Sequence, residues 1–342
     1  MRTFALYGCL GLVVILLFWS SLAYGAVDIP FGDVIRILLG KEVGRTAWQS
    51  IVWQSRLPQT LTAILAGASL AVSGLLLQTL FRNPLAGPSI LGISDGANLG
   101  VALVTFLTGG SLRQATGWAA GGYIAVVTAA FAGAALVLGI MIYFSSKVRN
   151  HVMLLILGIM MGYLASSLIS ILNYYAAADK VRLFVLWGMG HFAGVSLEQL
   201  PVFACLTLIG LCFALLMIKP LNALLLGEAY ATNLGVRIRR TRTQILICTG
   251  LLTASVTAFC GPVSFIGLAV PHIARLLLGS SNHKMLVPVT LIAGACTALV
   301  CNLMTVIPGT DLILPLNAVT PLIGAPVVIY VIMRTFAHVK TD

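Results

Sequence analysis

Charge is scarce in this 342-residue chain: Asp, Glu, Lys and Arg make up 8% of it, whereas apolar residues make up 59%. Soluble domains carry about 25% charged residues, so the composition excludes an ordinary soluble domain. It also excludes a disordered chain, because so few charges cannot keep so much apolar surface in solution. We therefore expect the chain to be embedded in a lipid bilayer.

Cysteine and histidine are few and scattered. The seven cysteines are odd in number and show no C-x-x-C spacing, and no two of the five histidines have the spacing of metal ligands. Neither a disulfide framework nor a metal site is indicated. The phosphate-binding pattern G-x-x-x-x-G-K-[ST] is also missing. We expect this chain to bind no metal and no cofactor, so another subunit must hydrolyse any ATP that is used.

Long apolar segments make up most of the chain. A helix that spans a bilayer needs about 20 mostly apolar residues, and little length is left for a separate soluble domain. The sequence predicts an all-α polytopic membrane protein, with residues 1–342 forming a single transmembrane domain. Its ten predicted spans cover about residues 4–24, 57–81, 89–108, 117–143, 152–176, 199–218, 243–261, 264–278, 285–307 and 318–336.

Basic residues are distributed unevenly between the loops. Ten spans place both termini on one side, and the loops on that side hold 13 of the 20 Lys and Arg residues. Because Lys and Arg are retained on the cytoplasmic face of membranes, this bias predicts cytoplasmic N- and C-termini. The formal net charge of +11 has the same cause, so we do not expect nucleic acid as a partner.

Two segments share the pattern G-P-(x)-S-apolar-apolar-G, at residues 87–92 and 261–267. They begin spans that run in opposite directions. This is the relation that an inverted repeat produces, although chance similarity between two turns rich in Gly and Pro explains so short a match equally well.

The polar stretch 226–235 is followed by four arginines up to Arg242. It reads as a short amphipathic helix between glycines, and such a helix can dock into a groove on a partner. A plain cytoplasmic loop with topology-determining arginines is the alternative interpretation.

Two further function classes are considered. Asp95 is the only carboxylate within the predicted spans, and carriers coupled to protons or sodium usually bury more ionisable groups. The sequence GISDG at 92–96 matches the G-x-S-x-G nucleophile pattern, but no histidine is evident as a base for Ser94. A secondary transporter and an intramembrane serine protease using Ser94 are therefore kept as alternatives.

An ordered set of motifs resembles the FecCD-type permeases, which are membrane subunits of importers for iron-siderophores, haem and vitamin B12. The resemblance covers about residues 50–336. Its motifs are RLPQT at 56–60, RNPLAGP at 82–88, LGISDGA at 91–97, LGEA at 226–229, GPVSFIGL at 261–268, PHIAR at 271–275 and TPLIGAP at 320–326. Relatives often have a basic residue where this chain has Gln59, and an Asp where it has Asn302.

The resemblance implies a type II ABC importer permease of ten helices, which transports and has no catalytic residue. Such a permease works in the bacterial inner membrane as a homodimer or a paired permease. It acts with two cytoplasmic ATPase subunits, which use ATP and Mg, and with a periplasmic or lipid-anchored binding protein. Whether the cargo is a siderophore, haem or cobalamin is left open.

The resemblance also assigns residues to four roles. A coupling segment at about 219–242 contacts the ATPase, and its central residues are Leu226, Gly227, Glu228, Ala229, Tyr230, Leu234 and Gly235. The fifth and tenth spans line the translocation pathway with Met160, Met161, Ser166, Ser170, Asn173, Tyr174, Asn317, Thr320 and Ile323. Residues expected to dock the binding protein are Arg56, Arg113, Lys180 and Arg182. Helix breaks and close packing are expected at Asn83, Pro84, Pro88, Gly92, Gly261, Pro262, Gly267 and Pro271.

Overall fold

The computed structural model describes residues 2–41, 43, 45–108, 119–148, 151–307 and 313–339. Helices account for nearly all of the regular structure in these ranges, with one isolated antiparallel bridge between Val306 and Ile313. The helices are α1 (Arg2–Ala23), α2 (Phe31–Leu38), α3 (Thr46–Ser50), α4 (Leu57–Phe81), α5 (Ile93–Thr108), α6 (Ala119–Lys147), α7 (His151–Tyr175), α8 (Ala178–Gly188), α9 (Leu200–Leu216), α10 (Ile218–Leu225), α11 (Glu228–Asn233), α12 (Ile238–Cys260), α13 (Ile266–Leu278), α14 (His283–Met304) and α15 (Leu316–Val339).

Ten of these helices correspond to the ten predicted spans, which confirms the all-α polytopic fold. Six are long and apolar enough to cross a membrane, and α9 with α10 forms a seventh candidate that bends by 49°. The apolar parts of α5, α13 and α15 are shorter. Two of these short helices, α5 and α13, directly follow the two G-P-(x)-S segments. Both helices therefore begin only after a broken start.

Several helices too short to span were not predicted. A π-helical turn, Ile51–Arg56, continues α3 into α4. The amphipathic helix α2 lies between α1 and α3, and it buries Val34 and Ile37 in a small cluster with Leu22. These elements connect α1 to α4 at the outer end of the bundle, as defined by the predicted orientation.

The centre of the fold is α4, which packs against α12, α13 and α14. Of its apolar stretch 83% is buried, compared with 22% for α7. Lipid offers no hydrophobic drive for association between helices, so close contact between backbones has to stabilise the core. Glycines provide that contact: a Cβ built on Gly67 would lie 2.3 Å from the carbonyl oxygen of Gly294, and one on Gly74 would lie 1.7 Å from that of Gly267.

The two G-P-(x)-S segments face each other in this core. A cavity of about 200 Å³ lies between Pro88 and Ser89 on one side and Ser264 and Phe265 on the other. The first segment forms a 3-10 turn, Pro88–Leu91, before α5. The second ends at Phe265, whose φ of 65° is unusual for a residue with a side chain. The two broken helix starts thus lie next to each other in the core.

Candidate functional site

The predicted coupling segment, residues 219–242, comprises most of α10, the whole of α11 and the start of α12. Gly227 (φ 113°) ends the connection from α10, and Gly235 (φ 83°) follows α11. Both angles fall in the region that residues with a Cβ rarely adopt. Ala231 of α11 is buried, whereas Leu226 before it and Tyr230 and Leu234 near its end are 63%, 57% and 60% exposed. The segment thus presents a cluster of large apolar side chains on the surface.

Two arginines fasten the coupling segment to the bundle. Nη2 of Arg242 lies 3.2 Å from Oε1 of Glu228, at the start of α11. The same guanidinium donates through Nη1 to the carbonyl oxygens of Val148 at 2.9 Å and Ser145 at 3.4 Å, at the end of α6. Nη2 of Arg82 donates to a carbonyl of α10 at 3.1 Å. The side chain of Arg242 therefore joins the start of α11 to the end of α6.

The attachment through Arg242 was missed by the sequence reasoning, which used this arginine only to assign topology. The signal available in the sequence is the short distance of Arg242 from Glu228. Burial of the guanidinium, which is 6% exposed, distinguishes it from the exposed arginines Arg237, Arg239 and Arg240. Only the tertiary structure shows that difference.

The predicted pathway helix α7 has a largely uncovered face. It contacts mainly α5 and the 3-10 turn Pro88–Leu91, which precedes α5. Tyr174 is 83% exposed, and Met160, Ser166 and Ser170 are exposed as well, while Met161 and Asn173 are half-buried. The predicted residues of α7 thus largely lie where a second protein or a cargo could reach them.

The predicted pathway residues of α15 need correction. Thr320 is buried. The side-chain amide of Asn317 forms hydrogen bonds with backbone groups of this chain. Nδ2 of Asn317 donates to the carbonyl oxygens of Pro262 at 2.7 Å and Gly188 at 3.2 Å, and its Oδ1 accepts from the backbone N–H of Ser264 at 3.0 Å. Asn317 therefore joins the broken start of α13 to the end of α8.

Other residues of α15 form its uncovered face. Ile323 is half-buried, whereas Leu322, Ile329 and Met333 are exposed. The last three lie seven and four residues apart, which places them on one side of a helix. That periodicity was available in the sequence and was not used.

Arg56 also needs correction as a docking residue, because it is only 6% exposed. Its Nη1 donates to the carbonyl oxygens of Leu22 at 2.8 Å and Ala23 at 2.7 Å, and its Nη2 donates to that of Val27. A basic group at a helix C-terminus satisfies carbonyls that have no intrahelical partner and complements the helix dipole. Arg56 thus caps α1 and does not present its charge at the surface.

The remaining predicted docking residues lie on α8 or outside the described ranges. Nζ of Lys180 donates to the carbonyl oxygen of Phe106 at 2.8 Å, which ties α8 to the end of α5. Arg182 is exposed on the same helix. Arg113 lies outside the residues that the structure describes.

The predicted helix-break residues lie at turns and close contacts. Oδ1 of Asn83 accepts from the backbone N–H of Leu85 at 2.9 Å, and the carbonyl oxygen of Pro84 accepts from Nε2 of His272 at 2.7 Å. Gly92 (φ 70°) and Gly261 (φ 74°) have left-handed backbones.

The remaining helix-break residues are packed tightly. A Cβ on Gly267 would lie 2.6 Å from Cδ of Pro88. The carbonyl oxygen of Pro262 is held by Asn317, and Pro271 is buried within α13.

Two neutral positions in the outer half of the bundle contact each other. Nε2 of Gln59 donates to Oδ1 of Asn302 at 2.8 Å, and Nδ2 of Asn302 donates to the hydroxyl of Ser21 at 3.1 Å. At these two positions the resemblance led us to expect a basic residue and an Asp in relatives. A neutral hydrogen bond thus joins α4 to α14 here. Ser94 contacts the hydroxyl of Thr257 at 3.4 Å.

Comparison with known proteins decides the family. A model described as the FecCD transport family matches residues 12–334. This chain belongs to the FecCD transport family. The Vitamin B12 import system permease protein BtuC of Klebsiella pneumoniae is 37% identical over 287 residues, covering 84% of this chain and 83% of that protein. The protein of the same name from Salmonella typhi is 36% identical over 286 residues, covering 83% and 84%.

Solved structures agree with this assignment. A structure described as an inward-facing conformation of a metal-chelate type ABC transporter has a TM-score of 0.81 and 30% sequence identity, and the match covers 96% of this chain and 99% of that one. PsaBC from Streptococcus pneumoniae in complex with Fab has a TM-score of 0.53 at 16% identity, covering 79% and 88%, and it supports the fold alone.

Family membership establishes the general role. The chain is a multi-pass membrane protein and the permease of an ABC importer, a transport subunit rather than an enzyme. ATP hydrolysis belongs to a separate subunit, and permeases of this kind pair as dimers with ATPases and a binding protein.

Proposed function

We propose that this FecCD family member imports a metal chelate, either cobalamin, a ferric siderophore or haem, across the bacterial inner membrane. The observation that carries the proposal is the family match over residues 12–334, together with relatives named for vitamin B12 import and a solved structure named for metal chelates. The permease works as one half of a homodimer or of a permease pair. Two cytoplasmic ATPases supply energy from ATP and Mg, and a periplasmic or lipid-anchored binding protein delivers the cargo.

The coupling segment receives the motion of the ATPase. Leu226, Tyr230 and Leu234 provide an exposed apolar surface that a groove on a partner could cover. Glu228 and Arg242 link that surface to α6. In the proposed orientation, with both termini in the cytoplasm, this segment lies on the ATPase side.

The cargo passes along the uncovered faces of α7 and α15, which a second permease covers in the dimer. Met160, Ser166, Ser170 and Tyr174 offer thioether, hydroxyl and aromatic groups with no fixed charge. A pathway lined by such uncharged groups suits a large chelate that must be bound weakly and released. Transport requires the cargo to bind more tightly in one conformation of the permease than in the other. A ligand that binds both conformations equally well does not shift the equilibrium between them.

Transport follows from alternating access. ATP binding closes the two ATPases, the coupling segments move with them, and the paired permeases switch the central cavity between outward and inward openings. The permease forms no covalent bond with its cargo. Exposed Arg182 and the other basic residues at the outer end attract acidic groups on the binding protein.

The decisive experiment is reconstitution of the permease with its ATPase and binding protein in proteoliposomes. Uptake of labelled cobalamin, ferric siderophore and haem is measured side by side, with ATP or with a non-hydrolysable analogue inside. We expect ATP-dependent uptake of one chelate. Uptake without ATP that an ionophore abolishes would support a secondary transporter instead, and a stable complex that moves none of the three would refute the proposed cargo class.

A further inference from the structure

A cleft of about 450 Å³ opens at the end of the bundle that carries the coupling segment. Gln78 and Arg82 line it from the end of α4, and Arg275 lines it from the last turn of α13. Leu224 and Leu226 line it from the coupling segment itself. Three separate parts of the fold thus meet around one opening that contains two guanidinium groups.

Both guanidinium groups are held in place and keep donors to spare. Nη1 of Arg275 donates to Oε1 of Gln78 at 2.6 Å, and Nε2 of Gln78 donates to the carbonyl oxygen of Leu268 at 3.1 Å. Nη2 of Arg82 donates to the carbonyl oxygen of Leu224 at 3.1 Å. A guanidinium has five N–H donors, so most remain for a ligand. Because the groups are already positioned, less side-chain freedom is lost on binding.

No acidic side chain among the described residues balances these two charges. Of the acids in the described ranges, only Glu228 lies at this end of the bundle, and it contacts Arg242 at 3.2 Å. Two neighbouring guanidinium groups favour an anion, and their planar donor pairs match a carboxylate or a phosphate. The cleft therefore suits an anionic group, and none of the described residues places one there.

We propose that the cleft receives a carboxylate side chain of the ATPase subunit, directly beside the coupling segment. The proposal rests on the proposed function, which supplies the ATPase as partner. Position favours this occupant: Leu225 and Leu226 line the cleft and are 45% and 63% exposed. A partner that covers the coupling segment covers the cleft as well. The bound carboxylate joins α4, α13 and the coupling segment at one point.

The first test measures the affinity of the ATPase for the permease in lipid nanodiscs, at low and high salt. The variants are Arg82→Gln and Arg275→Gln, and the matched control is Lys284→Gln, which removes an exposed positive charge at the same end but outside the cleft. We expect each cleft variant to weaken binding by about tenfold or more and to reduce its salt dependence, with little change for the control. Cleft variants that bind like the wild type, with unchanged thermal unfolding, would overturn the proposal.

The second test identifies the bound group. Arg82→Lys places an amine in the cleft. A carbodiimide condenses an amine with a neighbouring carboxylate to an amide and takes up the elements of water itself, leaving as a urea. We expect an amide between position 82 and an Asp or Glu of the ATPase, located by mass spectrometry. If the effect of the cleft variants requires anionic lipid in the nanodisc and no such amide forms, a lipid phosphate is the occupant and the proposal is wrong. Failure of the wild-type permease to bind any ATPase would overturn the proposed function as well, whereas an intact complex that does not depend on the cleft overturns only this inference.

Discussion

Replacing Gly74 by alanine tests the closest helix crossing in the core. A Cβ on Gly74 would lie 1.7 Å from the carbonyl oxygen of Gly267, whereas carbon–oxygen contacts between helices stand at about 3.3 Å or more. The shortfall is about 1.6 Å. The obstructing atom is backbone, so no rotamer change can remove the clash. Gly267 is itself pressed against Pro88, and α4 and α13 must therefore separate.

The expected cost follows from this geometry. Adding a methylene to a well-packed core costs about 1–3 kcal/mol, and the Gly74→Ala variant belongs at the upper end because the rigid partner cannot yield. In a protein of this size each kcal/mol shifts the midpoint of thermal unfolding by about 2 °C. We expect a midpoint about 6 °C lower for the Gly74→Ala variant in detergent, followed by tryptophan fluorescence or circular dichroism.

The control is Gly139→Ala in α6, where no atom lies within 4 Å of the added Cβ. Alanine forms helix more readily than glycine, so this variant should unfold at or slightly above the wild-type temperature. A midpoint for Gly74→Ala within about 2 °C of the wild type would refute the argument, because it would show that the crossing has room for a methyl group. If both variants were equally destabilised, the cause would be the replacement of a helical glycine as such, and not the close contact between Gly74 and Gly267.

Four other variants test individual contacts. Glu228→Arg brings a second positive charge to Arg242, so we expect normal membrane insertion but loss of transport-stimulated ATPase activity, and unchanged stimulation would contradict the coupling role. Arg56→Met removes two hydrogen bonds to the end of α1 and one to Val27 in the loop after it. It should lower the free energy of unfolding by about 3 kcal/mol, without altering affinity for the binding protein. Arg182→Glu should leave the free energy of unfolding unchanged and lower the affinity for the binding protein, by an amount that shrinks at high salt. A loss of affinity that does not depend on salt would contradict the docking role of Arg182. Asn317→Leu leaves two backbone carbonyls without their donor and should cost about 2–3 kcal/mol in the thermal assay; a wild-type midpoint would show that these bonds add nothing.

The spans were predictable because the bilayer imposes a local requirement on the sequence. Each crossing needs an unbroken apolar stretch of fixed length, and α4 begins and ends at the predicted residues, 57 and 81. The helices α2 and α8 were not foreseen, because short surface helices leave no signal of that length. Broken helix starts were foreseen at the two G-P-(x)-S segments, where proline and glycine oppose helix continuation.

Side-chain placement was predictable only in part. Membership of a span says nothing about which face of the helix a residue occupies. Asn317 and Thr320 were therefore assigned to the pathway, although Thr320 is buried and the amide of the half-buried Asn317 bonds to Gly188 and Pro262. Arg56 lies directly before the start of α4. The chain after α1 folds back over it, however, and turns its charge inward to three carbonyl oxygens.

The sequence by itself determined that this is a membrane protein with about ten spans, and that its ordered motifs are those of the FecCD family. These properties depend on composition and on residues close together along the chain. The tertiary structure alone decided which faces of α7 and α15 stay uncovered, and that Arg82 and Arg275 line one cleft beside the coupling segment. The physical reason is that such contacts join residues far apart in the chain, and backbone packing at glycines sets how closely their helices approach.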